Sequence, residues 1–138
     1  MKNRKILYVS SEVVPYLPES EISSMSFEIP KMVNKQGGQI RIFMPRYGNI
    51  NERRHQLHEV IRLSGLNLVI NDLDMPLIIK VASIPKERIQ VYFIDNEEYF
   101  KRKATLRDRD NKLFEDNDER AIFFAKGVFE TIKRLNWP

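Results

Sequence analysis

The sequence has no cysteine and only two histidines, and it has no apolar run of the roughly 18 residues that a membrane-spanning helix needs. Without cysteine, a disulfide framework and a thiolate zinc site are excluded. His55 and His58 lie in a polar stretch where no carboxylate completes a metal site, so no metal is predicted. The apolar stretch after the basic N-terminus is too short for a signal-peptide core. These absences predict a cytoplasmic protein without a membrane partner.

Glycine is also scarce, with five residues in the chain. Neither GxGxxG nor GxxxxGK[ST] is present, so no glycine-rich phosphate loop follows the first strand and no cofactor is predicted. With so few histidines, no Ser-His-Asp arrangement can be assembled, and neighbouring carboxylates such as Glu97 and Glu98 are interpreted as solvated or capping residues. No catalytic residue is assigned on these patterns.

What is present fits one globular domain. The chain has 138 residues, of which 42% are hydrophobic and 30% charged, and these fractions are close to globular averages. The net charge of +4 is a modest excess that is common in proteins, so no nucleic-acid partner is predicted.

The first forty residues have the pattern of a βαβ unit. Lys5–Ser10 is a continuous apolar run, which is typical of a strand buried on both faces of a parallel sheet. Ser20–Gln36 has helical periodicity, with Pro30 predicted to kink or divide it, and Gln39–Met44 is a second strand. Apolar residues three and four apart predict the inward face of this helix. They are Met25, Ile29, Met32 and Val33.

The middle of the chain is β-rich. Leu57–Leu66 and Pro76–Ile84 flank the turn signal Asn71-Asp72, which predicts an antiparallel hairpin, and Ile89–Ile94 is a third core strand. The predicted fold class is therefore α/β, with a mainly parallel, Rossmann-like sheet and an inserted antiparallel β-hairpin.

A last helix closes the chain. Asp116-x-x-Glu119 resembles a capping-box start, and Lys103–Asn117 before it is interpreted as a polar loop. The predicted apolar face is formed by Ile122, Ala125, Phe129 and Ile132, widened by Phe124, Val128 and Leu135. Because an α/β domain normally returns to its sheet after such a helix, residues 1–138 are predicted to be a single, incomplete domain.

Four segments carry a resemblance that extends over nearly the whole chain: Lys5–Pro15, Met44–Ile50, Tyr92–Phe100 and Asp116–Phe124. Together they resemble the opening of the bacterial glycogen and starch synthases. The resemblance implies a two-domain glycosyltransferase of the GT-B type, which transfers glucose from ADP-glucose or UDP-glucose to an α-1,4-glucan with retention. It places this chain in the first part of the N-terminal domain, whereas most nucleotide-sugar contacts belong to the C-terminal domain.

The resemblance breaks at the junction between the first strand and the first helix. The family has Lys-Thr/Val-Gly-Gly-Leu-Ala-Asp there, whereas this chain has Pro18 for the Lys, Glu19 for Thr/Val, Ser20 and Glu21 for the two glycines, and Ser24 for the Asp. A like-charge contact at about 4 Å costs roughly 1 kcal/mol in water and about 4 kcal/mol at an effective dielectric of 20. Two added carboxylates and a lost lysine therefore predict donor binding weakened by more than roughly tenfold.

These junction residues have two interpretations. In the first, Ser20 caps the helix and Glu19 and Glu21 favour its positive end. In the second, the carboxylates meet a sugar hydroxyl or a cation in a changed site.

Four further residues stand at motif positions of the family. The resemblance implies that Arg46 meets an anion or stacks on a sugar, that Tyr47 stacks on a glucan, and that Asn117 and Arg120 are candidate substrate-binding residues. The alternative is structural: Arg46, Tyr47 and Gly48 shape a loop, and Asn117 and Arg120 anchor the start of the helix.

Two functions therefore remain open. The first is an N-terminal segment of a glycogen/starch synthase-like glycosyltransferase that is inactive as an isolated chain, because catalysis needs groups on both sides of a cleft. The second is a non-catalytic glucan-binding or regulatory module that retains the fold. In the family's topology a further strand pairs beside the first. Without that strand, residues 6–9 form an exposed apolar edge, which predicts self-association or a covering loop.

Overall fold

A computed structural model describes residues 3–102, 105–107, 110 and 112–135. The strands are β1 (Lys5–Val9), β2 (Gln39–Pro45), β3 (His58–Glu59), β4 (Asn67–Ile70), β5 (Leu73–Pro76), β6 (Ile78–Ile84) and β7 (Ile89–Asp95). The helices are α1 (Glu21–Lys35), α2 (Glu97–Phe100) and α3 (Asn117–Arg134), with a 3₁₀ turn at Ile61–Leu63.

The main sheet has the order β1-β2-β7-β6-β3. Strands β1, β2 and β7 are parallel, with Tyr8 beside Ile42 and Ile42 beside Val91. Strand β6 runs antiparallel to β7, and the short β3 runs antiparallel to β6. The predicted α/β class with a mainly parallel sheet is thus confirmed. The centre of the core lies on β2 and β7, where Ile42, Val91 and Phe93 are fully buried.

The hairpin prediction is right about the turn and wrong about the strand bounds. Asn71 and Asp72 both have positive φ, as the turn requires. However, the strands that flank them are the short β4 and β5, which form a separate two-stranded sheet, while β3 and β6 join the main sheet. The apolar runs predicted the region, but they did not mark the point at which the chain leaves one sheet for another.

Strand β1 is not buried on both faces as predicted. Among the described residues it pairs only with β2, so it forms an edge of the sheet. Leu7 is 39% exposed and Val9 49% exposed. A continuous apolar run predicts a parallel strand, but it does not show how many neighbours that strand has.

Helix α1 confirms the predicted ends but not its division at Pro30. Ser20 is the N-cap, and Gly37 follows the helix with a φ of 86°. The helix continues through Pro30, whose ring is buried. A proline removes one backbone hydrogen bond, and packing of the buried face holds the helix together across that gap.

The predicted inward face of α1 is mostly wrong. The buried residues are Ser23, Ser26, Pro30 and Val33. The exposed residues are Ile22, Met25, Ile29 and Met32. Small side chains let the helix lie close to the sheet, as the 2.7 Å hydrogen bond from Ser26 Oγ to Ser10 Oγ shows.

Helix α3 repeats this reversal. The predicted stripe of Ile122, Ala125, Phe129 and Ile132 is exposed, whereas Val128 and Leu135 of the wider face are buried. Gly127 faces the sheet, and a Cβ there would lie 2.6 Å from Ile94 Cγ2. The close contact at glycine sets the inward face, which the apolar stripe alone does not reveal.

No helix in the described ranges is both long enough and apolar enough to cross a membrane.

Candidate functional site at the carboxyl edge of the sheet

The carboxyl ends of β1, β2 and β7 lie at one edge of the sheet because the three strands are parallel. In doubly wound sheets, ligands bind outside this edge, where helix N-termini also open. The segments that follow these strands carry the sequence-predicted site residues, and the starts of α1 and α3 complete the surroundings.

The start of α1 is a capped helix end with two carboxylates. We call it the first-helix junction; its residues are Pro18, Glu19, Ser20, Glu21 and Ser24. Ser20 Oγ accepts a hydrogen bond from the backbone N–H of Ser23 (3.1 Å), and the backbone N–H of Ser20 donates to Ser23 Oγ (2.7 Å). This capping box confirms the predicted capping role of Ser20.

Glu19 and Glu21 are exposed on either side of this cap. Within the described part of the chain, neither carboxylate forms an ion pair. Carboxylates near a helix N-terminus are favourable for the helix, because they face its positive end. The same position makes them repulsive to any anion that approaches the helix start.

Arg46 lies in a buried charge network beyond the end of β2. Its Nε is 3.1 Å from Asp95 Oδ2, and its Nη1 is 3.6 Å from Glu52 Oε2. Lys80 Nζ contacts the same two carboxylates, at 2.8 Å from Asp95 Oδ2 and 2.7 Å from Glu52 Oε1. The two cations and two anions balance, and the side chain of Asp95 is only 1% exposed.

The pKa of Lys80 reflects two opposed effects. Burial lowers the pKa, but hydrogen bonds to Asp95 and Glu52 outweigh it, so the pKa lies above the ordinary value. Asp95 Oδ1 is buried and has no hydrogen-bond partner in the described residues. The network therefore holds the loop after β2 against β6 and β7, and it places Tyr47 next to α3.

Arg120 is held in an aromatic cage at the start of α3. Its guanidinium carbon is 5.6 Å from the ring centre of Tyr47, 5.4 Å from that of Phe100 and 5.0 Å from that of Phe114. Its Nη1 donates to Asn117 Oδ1 at 2.8 Å. Nε and Nη2 have no hydrogen-bond partner among the described residues, although the side chain is almost wholly buried. Burial lowers the pKa of Arg120, and nearby Arg102 lowers it further.

Asp116 does not cap α3 through its side chain, contrary to the capping-box prediction. Both of its carboxylate oxygens instead accept hydrogen bonds from Arg102, each at 2.6 Å. This bidentate bond lowers the pKa of Asp116 below its ordinary value. Gly48 is required beside this pair, because a Cβ there would collide with the backbone of Arg102.

A mainly apolar cavity of about 210 Å³ opens beside the aromatic cage. Its lining comes from the loop after β1, the end of β2 and the loop that follows it, α2, the segment between α2 and α3, and α3: Ser11, Pro45, Tyr47, Phe100, Leu106, Asn117, Arg120, Ala121 and Phe124. Three of the four predicted substrate-binding residues therefore meet here. The fourth, Arg46, is committed to the charge network, and the first-helix junction does not line this cavity.

Sequence reasoning missed the partners of these residues. Asp95, which ends an apolar strand, gave a usable signal, because a carboxylate at the carboxyl end of a buried parallel strand is unusual. Lys80 and Arg102 gave none, since their partners lie 15 and 14 residues away in the sequence. In the part of the chain that the structure describes, no group of three metal-ligating side chains is found.

Comparisons with known proteins point to one family. The family model described as "Starch synthase catalytic domain" matches residues 5–138. The glycogen synthase of Chlorobium limicola is 41% identical over 137 residues, and that of Chlorobaculum tepidum is 41% identical over 140 residues. Both alignments cover 99% of this chain and 28% of the relative, so the chain spans just over a quarter of the length of these curated relatives.

One solved structure supports the fold. It is the catalytic domain of starch synthase IV from Arabidopsis thaliana bound to ADP and acarbose, with a TM-score of 0.78 at 14% identity. The match covers 97% of this chain and 26% of that chain. At this identity the structural match speaks for the GT-B fold, and the family model and the curated relatives identify the family. The chain belongs to the starch synthase catalytic domain family.

Proposed function

We propose that this chain supplies the N-terminal-domain wall of the cleft in a glycogen/starch synthase-like glycosyltransferase, and that it is inactive in isolation. The observation that carries the proposal is the convergence of Tyr47, Asn117 and Arg120 on one cavity at the carboxyl edge of the sheet. ADP-glucose or UDP-glucose and an α-glucan are the substrates that the family suggests. A cytoplasmic location is part of the proposal and rests on the bacterial relatives.

The cavity fits a small part of a ligand. At about 210 Å³ it lies below the roughly 300–1,000 Å³ of typical ligand pockets. It therefore suits a single sugar unit against Tyr47 and Phe124, with Asn117 and Arg120 as polar contacts.

Inactivity of the isolated chain follows from geometry and charge. Transfer requires donor and acceptor to be held together, and the chain spans only 28% of its curated relatives. At the first-helix junction, Glu19 and Glu21 stand where the family's pattern has an uncharged residue and a glycine. We expect these carboxylates to repel the diphosphate of a sugar nucleotide.

The second candidate function is a non-catalytic glucan-binding or regulatory module. The contrast between the two helix starts favours this second function. The start of α3 lines a cavity that suits a sugar unit, whereas the carboxylates at the start of α1 are expected to repel anions. In this case glucan binding persists without any nucleotide-sugar binding.

Two measurements test these proposals. A continuous glucan-elongation assay with ADP-glucose and with UDP-glucose should show no turnover above background, and clear turnover by the isolated chain would refute inactivity. Titration with malto-oligosaccharides and with ADP-glucose then separates the two functions. Binding of glucan alone favours the module, and binding of ADP-glucose favours the enzyme segment.

A matched pair of variants tests the cavity itself. Asn117→Ala removes a cavity-lining amide, whereas Asn67→Ala removes an exposed amide on β4. We expect Asn117→Ala to weaken malto-oligosaccharide binding and Asn67→Ala to leave it unchanged. If the two variants bind malto-oligosaccharides with equal affinity, the cavity is not the glucan-binding site.

A further inference from the structure

Two buried polar side chains stand together at the end of β7. Asp95 is the last residue of the strand, and Asn96 is the N-cap of α2; they are only 1% and 3% exposed. Asp95 contacts Arg46, the neighbour of Tyr47, and Asn96 caps the helix that carries Phe100. Tyr47 and Phe100 both line the cavity beside the aromatic cage. The end of β7 is therefore connected to two walls of that cavity.

The strand register places the charge network and α3 on opposite faces of the sheet. Lys80 of β6 pairs with Phe93 of β7, and Asp95 lies two residues beyond Phe93, so the side chains of Lys80 and Asp95 share one face. The contact with Asp95 puts the side chain of Arg46 on this face as well. Ile94 points to the other face, where it packs against α3.

The same alternation directs Tyr47 towards α3. The backbone N–H of Arg46 donates to the carbonyl oxygen of Ile94 at 2.9 Å, so the pairing of β2 with β7 continues through Arg46. Successive side chains of an extended chain point to opposite faces. Anchoring Arg46 on the network face therefore turns Tyr47 to the α3 face. Its ring is buried there, with its centre 5.9 Å from that of Phe100 and the two planes at 86°.

Asn96 fixes the opposite wall of the cavity. Its Oδ1 accepts a hydrogen bond from the backbone N–H of Tyr99 at 3.0 Å, and its Nδ2 donates to the carbonyl oxygen of Pro76 at 2.9 Å. The first bond starts α2, and the second ties that start to the end of β5. The ring of Phe100, at the end of α2, is thereby held in place for the ring of Tyr47 to pack against.

We propose that Asp95 is a positioning residue for the cavity, because it holds Arg46 and so sets the place of the Tyr47 ring. Asp95 itself is not among the described residues that line the cavity, so it acts through Tyr47. A buried ion pair adds little net stability compared with an apolar pair of the same size, but it can fix the directions of its side chains. The inference rests on the proposed function, in which this cavity holds a sugar unit of an α-glucan.

The place of the Tyr47 ring can be measured without any ligand. NMR with tyrosine-selective isotope labelling reports the ring signals of the five tyrosines, and Tyr47→Leu identifies the signal of Tyr47 by its loss. We expect this signal to move in Asp95→Asn, which removes the charge that holds Arg46. It should also move in Arg46→Met, which leaves Asp95 paired with Lys80 and so serves if Asp95→Asn fails to fold.

The matched control is Asp74→Asn. Asp74 is an exposed carboxylate on β5, in the other sheet, so its replacement should leave every tyrosine ring signal and the glucan affinity unchanged. The backbone amide spectrum of each variant checks that it is folded.

A double-mutant cycle on binding then tests whether Asp95 acts through Tyr47. The affinity for maltopentaose should fall by roughly tenfold in Asp95→Asn, since a ring held loosely loses part of its contact with the sugar. Added to Tyr47→Leu, the same change should cost less than about twofold, because the ring that it positions is already absent. A residue with a merely structural role would lower the affinity equally in both backgrounds.

The two measurements separate this inference from the proposed function. If the unchanged chain does not bind maltopentaose, glucan binding at the cavity fails, and the ring signal of Tyr47 alone decides whether Asp95 positions it. An unmoved Tyr47 signal in folded Asp95→Asn and Arg46→Met would overturn the inference. An equal loss of affinity with and without the Tyr47 ring would overturn it as well.

Discussion

Two helix starts face the same edge of the sheet and differ in almost every physical respect. At the start of α3, Arg120 is buried in an aromatic cage and Asp116 is held by Arg102. At the start of α1, Ser20 makes a local cap, and Glu19 and Glu21 remain in solvent without an ion pair among the described residues. The start of α3 is held by residues that are distant in the sequence, whereas the start of α1 is held by residues next to it in the sequence.

This difference separates stability from ligand binding. Residues around the start of α3 hold loops in place and line a cavity, so changes there should affect the whole fold. The exposed carboxylates of Glu19 and Glu21 can be replaced with little loss of stability, and we expect their main effect to be on the binding of anions at the helix start. By the resemblance, the family's pattern is kept at Asn117 and Arg120, which pack against neighbouring loops, and is lost at Glu19 and Glu21, which are exposed.

The largest expected effect of a single change comes from the charge network that supports the loop after β2. Asp95→Ala leaves Arg46 and Lys80 buried without their shared carboxylate, and it should lower the free energy of unfolding by about 3–5 kcal/mol. Urea denaturation at pH 7 measures this free energy. The control is Glu52→Gln, at a carboxylate that is 37% exposed, which should cost about 1 kcal/mol or less. Similar losses for the two variants would contradict the assignment of Asp95 as the centre of the network.

The next effect is at the start of α3. Asp116→Asn removes one charge of the bidentate pair with Arg102 and should cost about 1–2 kcal/mol at pH 7. Because the folded-state pKa of Asp116 lies below its ordinary value of 3.8, the pair's contribution is present above that pH and is lost as the pH falls through the folded pKa. The difference in the free energy of unfolding between the variant and the unchanged chain should therefore become smaller below about pH 4. An equally large gap at pH 3, or an equal cost for Asp118→Asn on the same helix turn, would argue against the ion pair.

At the start of α1 the expected effect is smaller and local. Ser20→Ala removes the cap acceptor for the N–H of Ser23 and should cost about 1 kcal/mol. Thermal unfolding with Ser24→Ala as the control measures it, since Ser24 lies one turn inside the helix. A loss as large as that of Asp95→Ala would mean that this start is also tied to the rest of the fold.

The smallest effect on stability should come from the carboxylates of the junction. Glu19→Gln with Glu21→Gln removes two favourable charges at the helix N-terminus and should lower stability by less than Ser20→Ala does. The loss should shrink further in high salt, because both side chains are exposed. Differential scanning calorimetry at low and high salt measures this; a salt-independent loss would point to a buried contact.

Much of the fold could be predicted from sequence because its signals are local. The apolar runs of β2 and β7, the Ser20 cap and the Asn71-Asp72 turn all depend on residues close together in the chain. Helix faces were not predictable by the same means. Apolar stripes on α1 and α3 suggested inward faces, but close packing at Ser26 and Gly127 set them instead.

The sequence predicted individual residues of the candidate site but not how they are arranged in space. Motif positions named Tyr47, Asn117 and Arg120, and the structure brings them to one cavity. Of the charge network, only Asp95 gave a signal in the sequence; its contact with Lys80 was not predictable, because the two residues meet only when β6 pairs with β7. Whether a polar residue contacts a ligand or a neighbouring strand is decided by tertiary structure, which spacing does not encode.

The most direct test of the central claim is the affinity for ADP-glucose at low salt, measured by isothermal titration calorimetry. The unchanged chain is compared with a variant in which the family's junction is restored by Pro18→Lys, Glu19→Thr, Ser20→Gly and Glu21→Gly. We predict that the restored chain binds at least roughly tenfold more tightly, because a cation replaces two carboxylates beside the diphosphate. Equal affinities, or tighter binding by the unchanged chain, would contradict the claim that Glu19 and Glu21 repel the donor.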